Sequence, residues 1–162
     1  MKYADTSTAD NNQQAQHLNS AYAVCAAAQR FFQQAAQLIS NSNLRYQFIE
    51  LSKLHQSAAR QLPATTLAQL DYRNELAAVE FWYLHQCAAL HNPAQQPLIL
   101  AQLAGLLQQQ LLGLKQLTRQ VTTASAKVTL AHLSAALQMA IDRLSPLLQV
   151  LPTNTQKIQT KN

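Results

Sequence analysis

The sequence predicts an all-α protein, an antiparallel four-helix bundle with one extra helix between its second and third helices. Apolar residues recur at alternating spacings of three and four along most of the 162-residue chain, which places them on one face of each helix. No stretch alternates polar and apolar residues for long enough to indicate a strand. The chain contains only two glycines, as is typical of a mostly helical protein.

The most regular part of the pattern predicts a helical hairpin over residues 14–40 and 44–62. Asn41, Ser42 and Asn43 lie between the two helices and are residue types that end one helix and cap the next. Pro63 ends the second helix because proline lacks a backbone N–H group. The predicted buried face, which we call the seam, consists of Leu18, Tyr22, Cys25, Gln29, Phe32, Ala36 and Ile39 in the first helix and Leu44, Phe48, Leu51, His55, Ala58 and Leu62 in the second.

The third predicted helix, residues 67–91, is apolar on more than one side. One seam consists of Leu67, Leu70, Asn74, Ala77, Phe81, Leu84 and Ala88, and the other of Leu76, Val79, Tyr83, Cys87 and Leu90. A helix of this kind either lies between other helices or meets a partner. Because a helix on the flank of a bundle leaves about half its circumference exposed, we expect a homodimer, with Phe81, Trp82 and Tyr83 as interface residues.

The last two predicted helices cover residues 97–121 and 125–151 and keep the spacing of left-handed bundle packing. Pro97 occupies a favoured position in the first turn of its helix. Pro146 lies inside the last helix and is expected to kink it or to end it early. We expect residues 14–151 to form a single domain, with a polar, disordered tail over residues 1–13 and a loose tail over residues 152–162.

Charge, hydropathy and the cysteines indicate which partners and which cellular compartment to expect. The net charge is +5, but the basic residues are scattered, whereas nucleic-acid binding needs clustered phosphate contacts. The N-terminal residues lack the apolar core of a signal peptide, and no apolar run approaches the ~18 residues of a membrane span. Cys25 and Cys87 are isolated in apolar surroundings, which indicates free thiols in a reducing compartment. We therefore expect a cytoplasmic protein with no membrane span and no nucleic-acid partner.

The pattern of two helices, a crossing segment and two further helices resembles the ferritin-like bundle in its rubrerythrin-related branch. More narrowly, the chain is similar to a family of short bacterial ferritin-like proteins of unknown function. The resemblance covers about residues 16–150. The matching residues are Leu18, Cys25, Phe31, Phe32, Ala35, Ala36, Leu44, Phe48, Leu51 and the ranges 58–62, 98–103 and 130–144.

The resemblance also implies that a di-metal site has been lost. Metal-binding members of the superfamily take a Glu from each of two helices and a Glu-x-x-His pair from each of the other two, because iron needs bridging, charge-balancing carboxylates. We therefore expect no metal and no cofactor. The corresponding positions here hold Gln29 in the first helix, Ser52 three residues before His55, Leu107 or Gln110 in the third bundle helix, and Leu133, Leu137 and Ala140 in the last.

Three polar residues, Gln29, His55 and Gln110, lie on predicted seams and form the predicted polar core. Gln29 and His55 are similarly far from the turn, so we expect them to face each other, with His55 hydrogen-bonded to Gln29 or Gln110. The alternative is that His55 acts as a single metal or ligand anchor. Cys87 and His91 share a helical face, but two ligands do not close a zinc site.

These observations favour a non-enzymatic protein with a structural or protein-interaction role. No serine, histidine and carboxylate are arranged for nucleophilic catalysis. The alternative is a metal-binding or oxidoreductase ferritin-like protein with a reduced site around His55. A third hypothesis is a basic adaptor for an acidic protein partner, because the chain is basic overall.

Overall fold

A computed structural model describes residues 2–62 and 75–149, with side chains from residue 12 onward. The described residues form helices and short turns without a strand, which confirms the all-α prediction. The five helices are α1 (Lys2–Leu38), α2 (Ser42–Gln61), α3 (Glu75–Ala89), α4 (Gln96–Gln120) and α5 (Ala124–Gln149).

Helix α1 begins at Lys2, well before the predicted start near Gln14. This helix disagrees with the expected disordered tail over residues 1–13. The disordered tail was predicted from the polarity of residues 1–13 alone. A polar stretch without glycine or proline can continue a helix, because solvated side chains do not interrupt backbone hydrogen bonding. The expected C-terminal tail over residues 152–162 lies outside the described residues, as do residues 63–74.

The side chain of Gln14 joins the N-terminal half of α1 to the end of α4. Its Nε2 donates to the carbonyl of Gln120 at 3.0 Å, and its Oε1 accepts from the backbone N–H of Thr122 at 2.9 Å. The carbonyls of a last helical turn have no partner inside the helix. One amide of α1 therefore satisfies a carbonyl at the end of α4 and the N–H group just beyond it.

Asn41 begins α2 as its N-cap. Its Oδ1 accepts from the backbone N–H groups of Asn43 at 3.0 Å and Leu44 at 3.1 Å, which would otherwise lack partners at the start of the helix. The connection therefore covers residues 39–41, two residues earlier than the turn predicted at 41–43, because Ser42 and Asn43 form the first turn of α2.

Helices α1 and α2 run antiparallel, as two hydrogen bonds across the hairpin show. Arg45 Nε donates to the carbonyl of Ala36 at 3.0 Å near the turn. Farther away, Ser52 Oγ donates to the carbonyl of Gln29 at 3.2 Å. Within each pair, the two residues are equally far from the turn, so the two helices keep one register along this length.

Helix α3 is part of the wall of the core. The helices pack in the cyclic order α1, α2, α5, α4, α3, and α3 lies between α1 and α4, which contact each other only slightly. The predicted arrangement placed a third helix on the flank of a four-helix bundle. The reason for the difference is the second apolar seam of α3: Leu76, Val79, Tyr83 and Leu90 are buried.

Gly113 of α4 allows the close approach of α3. A Cβ atom built on Gly113 would lie 2.8 Å from Leu76 Cδ2, inside ordinary van der Waals contact. By contrast, a Cβ atom on Gly105 would meet nothing within 4 Å. The two glycines of the chain therefore have different roles, and only Gly113 is required by packing.

Two further features of α4 and α5 bear on the sequence predictions. Helix α5 continues past Pro146 to Gln149, so the proline does not end it early. Helix α4 (Gln96–Gln120) is the one described helix that is long and apolar enough to cross a membrane, although half of that stretch is buried inside the protein. A core helix meets the same criterion, so α4 is weak evidence for a membrane span.

Candidate functional site

The centre of the protein contains a chain of three hydrogen-bonded side chains, which we call the polar core chain. Tyr83, Gln110 and His55 come from α3, α4 and α2, and each is fully buried. Tyr83 Oη donates to Gln110 Oε1 at 2.5 Å, and Gln110 Nε2 lies 2.8 Å from His55 Nε2. His55 Nδ1 lies 2.8 Å from the carbonyl of Leu51. The polar core chain therefore ties three helices together.

The hydrogen bonds of the polar core chain have one consistent direction. The carbonyl of Leu51 can only accept, so His55 Nδ1 carries the proton and donates to it. In the neutral ring, Nε2 then accepts from the amide NH₂ of Gln110. This orientation leaves Gln110 Oε1 to accept from Tyr83. The assignment follows from the partners and fixes both the histidine tautomer and the amide orientation.

Burial keeps the polar core chain uncharged near neutral pH. Desolvation lowers the pKa of His55 to about 4, against a smaller opposite effect of its hydrogen bond to the Leu51 carbonyl. Desolvation also raises the pKa of Tyr83 well above its usual value. The ring of Phe32 stacks on the imidazole with centroids 5.8 Å apart. These groups therefore form a neutral, buried and mutually hydrogen-bonded set.

Gln29 does not belong to the polar core chain. Its side chain is half-buried and lines a groove on the outside of the α1–α2 hairpin, so the predicted contact with His55 is wrong. The predicted position of Gln29 along the hairpin agrees with the structure, because Gln29 lies beside Ser52 on α2. The prediction was wrong about the side of α1 on which Gln29 lies. Helix α1 packs on α3 as well as on α2, which turns its buried face away from Gln29 and toward Ala28 and Phe31.

The three predicted interface residues lie in three different environments. Tyr83 is fully buried, so its prediction as an interface residue is wrong. Trp82 is half-buried: its ring packs 5.2 Å from that of Phe31, and its Nε1 donates to Gln102 Oε1 at 3.1 Å. Only Phe81, which is 70% exposed, lies on the surface.

The outward side of α3 is apolar, and we call the row Ala77, Phe81, Leu84 and Ala88 the outer seam. Leu84 is 47% exposed, and the ring of Phe81 stacks on that of His85, with centroids 6.1 Å apart. The residues follow a 4-3-4 spacing, which is the seam pattern of paired helices. Spacing predicted this row but could not show that it faces outward.

The described residues do not bring together three or more His, Cys, Asp or Glu side chains that could hold a metal ion. Burial raises the pKa of Cys25 to about 12, and burial also raises that of Cys87 against a smaller opposite effect of Arg30. Metal binding and nucleophilic attack both require the thiolate form, so neither cysteine is activated for such chemistry.

Two open grooves lie on the outsides of the hairpins. The α1–α2 groove has a volume of about 370 Å³ and contains Arg45 and Lys53. The α4–α5 groove has a volume of about 450 Å³ and contains Lys115 and Arg119. No carboxylate lines either groove within the described part of the chain. Each groove therefore contains two basic side chains, and Lys53 of the α1–α2 groove has Glu50 within 3.8 Å outside the lining.

Comparison with protein-family models, curated proteins and solved structures gave no match to this chain.

Proposed function

We propose that this protein is a non-enzymatic helical interaction protein that works as a homodimer. We further propose that α1, α2, α4 and α5 correspond to a bacterial ferritin-like bundle of the rubrerythrin-related branch, with α3 inserted between α1 and α4. The observation that carries the proposal is the polar core chain, because it fills the centre of the fold with neutral groups that already have partners. A cytoplasmic location is part of the same proposal.

The surroundings of His55 argue against a di-metal centre. Such centres are held by carboxylates, and no Asp or Glu is among the buried residues of the described core. A metal ion at His55 Nε2 would displace the amide of Gln110 and leave that amide without its partner. The metal-binding alternative therefore needs both new ligands and a rearranged core.

The outer seam is self-complementary. In an antiparallel pair of α3 helices centred between Phe81 and Leu84, each Phe81 meets Leu84 of the second copy, and each Ala77 meets Ala88 of the second copy. The large side chains then fill the middle of the contact, and the small ones let the helix ends approach. A two-fold axis generates this arrangement from one sequence, which supports a second copy as the occupant.

Charge also favours contact between copies at α3. The protein has a net charge of +5, so two copies repel each other on average. Helix α3 is the only described helix without Lys or Arg, and it contains Glu75 and Glu80. We therefore expect the repulsion between the copies to be small at the helix that carries the outer seam.

Sedimentation equilibrium tests the homodimer. We expect the unaltered protein to be a dimer at high micromolar concentration. Phe81→Glu should make it monomeric, because a carboxylate would be buried in the contact. Val128→Glu is the matched control: Val128 is 69% exposed, nearly the same as Phe81, but lies on α5, so that variant should remain a dimer. A monomeric unaltered protein, or dissociation by both variants, would overturn the homodimer.

Metal analysis and ferrous iron titration test the alternative of a reduced metal site around His55. We expect no stoichiometric metal in the purified protein and no absorbance from ferrous iron oxidation. One or more irons per chain, lost on substitution His55→Ala, would replace the proposed non-enzymatic role by a metal-dependent one. This experiment is independent of the oligomeric state, so each half of the proposal can fail separately.

A further inference from the structure

The lining of the α1–α2 groove has the spacing of a helix-packing surface. A helix that packs between two others contacts side chains that recur at spacings of three and four on each. The groove lining follows this rule on both helices, although apart from the buried Ala36 it lies outside the core. The lining residues in this register are Gln29, Gln33 and Ala36 on α1 and Arg45, Ile49, Ser52 and Gln56 on α2.

The groove contains an apolar centre between two cations. Ile49 is 42% exposed and lies on α2 midway between Arg45 and Lys53. The hydrogen bond from Arg45 Nε to the Ala36 carbonyl fixes the base of the guanidinium. Its terminal Nη groups donate no hydrogen bond to any described residue, so they are available to donate to a carboxylate.

Lys53 is also available to a partner. Its Nζ lies 3.8 Å from Glu50 Oε1, and the two side chains are 69% and 48% exposed. An ion pair in such exposed positions contributes little stability, so exchange of Glu50 for a carboxylate of a partner costs little.

We propose that the α1–α2 groove binds an acidic amphipathic helix of a protein partner. Arg45 and Lys53 are separated by eight residues of α2, or about 12 Å along the helix axis. A partner helix with the pattern Glu-x-x-x-Leu-x-x-x-Glu spans the same distance. Its leucine would pack on Ile49 and Ala36, and its carboxylates would meet Arg45 and Lys53. This is the helix-in-groove mode of recognition.

Other surfaces and ligands fit these observations less well. The α4–α5 groove also has two cations, but Lys115 and Arg119 are one turn apart above Ala131, Ser134 and Ala135, without an exposed large apolar side chain between them. A nucleic acid would need a longer run of phosphate contacts than two cations provide, and it would not use Ile49. The α1–α2 groove involves neither α3 nor the outer seam, so this proposal does not depend on the homodimer.

Fluorescence anisotropy with a labelled synthetic peptide tests the proposal. The probe has about 18 residues of Glu, Ala and Leu in the stated pattern, because shorter helices are marginal in water. A control peptide has Gln in place of each Glu. We expect the acidic peptide to bind at least about tenfold more tightly than the control, and increasing salt concentration to reduce this difference.

Matched protein variants locate the binding. Arg45→Glu with Lys53→Glu should weaken binding at least about tenfold, whereas Lys115→Glu with Arg119→Glu changes the net charge equally and should leave affinity unchanged. Ile49→Ser keeps the charge and should also weaken binding. Circular dichroism melting confirms that each variant is folded. Equal binding of the two peptides, equal effects of the two double variants, or tighter binding of a single-stranded oligonucleotide of the same charge would overturn the proposal.

Discussion

The two faces of α3 have nearly the same chemistry but opposite environments. The inner face, Leu76, Val79, Tyr83 and Leu90, is buried against α1 and α4, whereas the outer seam is largely exposed. Both faces are apolar rows at helical spacing. The inner face differs in one group, the hydroxyl of Tyr83, which donates to Gln110 in the core. Apolar spacing therefore identifies faces, and hydrogen-bonding partners on other helices show which face is inside.

Alanine substitution at neighbouring aromatic residues gives the largest expected contrast between the two faces. Tyr83→Ala should lower the free energy of unfolding by about 3–5 kcal/mol, because it leaves a cavity in the core. Phe81→Ala should change the unfolding free energy of the monomer by less than about 0.5 kcal/mol. Urea unfolding at a concentration that keeps the protein monomeric measures both. Equal losses at the two positions would show that the faces do not differ as described.

Gln110→Leu tests the polar group of the inner face. The substitution leaves His55 Nε2 and Tyr83 Oη buried without a partner, so we expect a loss of about 2–4 kcal/mol. Adding Tyr83→Phe to Gln110→Leu should cost less than the two changes cost separately, since the lost groups share one hydrogen bond. Strict additivity in urea unfolding would show that the polar core chain does not act as a connected unit.

The pH dependence of the free energy of unfolding tests whether His55 is buried and uncharged in the folded protein. The pKa of His55 is about 4 in the folded protein, against about 6.5 for a histidine in an unfolded chain. Between these values the unfolded chain binds more protons, so stability is complete above about pH 6.5 and falls by about 3 kcal/mol as the pH approaches 4.

Urea unfolding across this pH range, compared with two variants, isolates the contribution of His55. His55→Gln should flatten the profile, whereas His85→Gln, a change at an exposed histidine beside the outer seam, should leave it unaltered. An unchanged slope in His55→Gln would assign the acid sensitivity to other groups.

The two glycines of α4 give the smallest expected effect. Gly113→Ala should destabilise the protein by about 1–3 kcal/mol, because its Cβ would overlap the side chain of Leu76 on the inner face. Gly105→Ala meets open space and should stabilise the protein by about 0.5–1 kcal/mol through helix propensity. Thermal melts of the two variants should therefore shift in opposite directions. A shift in the same direction would show that α3 does not press on α4 at Gly113.

The sequence predicted α2 better than α1, for a physical reason. All the predicted seam residues of α2 are buried, and the predicted cap is formed by Asn41. In the first helix five of the seven predicted seam residues are buried, but Tyr22 is 36% exposed and Gln29 is half-buried, because the buried face also includes Ala28 and Phe31. Spacing defines which residues share a face, but the number of neighbouring helices defines how wide the buried face is.

The candidate site was predictable only in part. His55 and Gln110 were identified because polar residues on an apolar seam must pair when buried, and the structure brings them together. The sequence predicts Tyr83 as an interface residue because two faces of its helix are apolar, whereas the structure buries it. A buried tyrosine needs a hydrogen-bond partner for its hydroxyl, whereas a buried phenylalanine does not. Among the three consecutive aromatic residues, this hydroxyl was the sequence feature that could have indicated a contact with Gln110.

The hydrogen bonds of the Gln14 side chain connect α1 to the backbone at the end of α4, so hydrogen exchange at one backbone amide there reports on this contact. Thr122 is exposed, and its N–H lies outside the regular helices, so ordinary solvent contact would exchange its proton rapidly. Because Gln14 Oε1 accepts that proton, exchange must wait until this hydrogen bond breaks, either by rotation of the Gln14 side chain or by movement of α1. The exchange rate at Thr122 therefore reports how often this contact opens, and Gln14→Ala should raise that rate while amides inside α4 keep theirs.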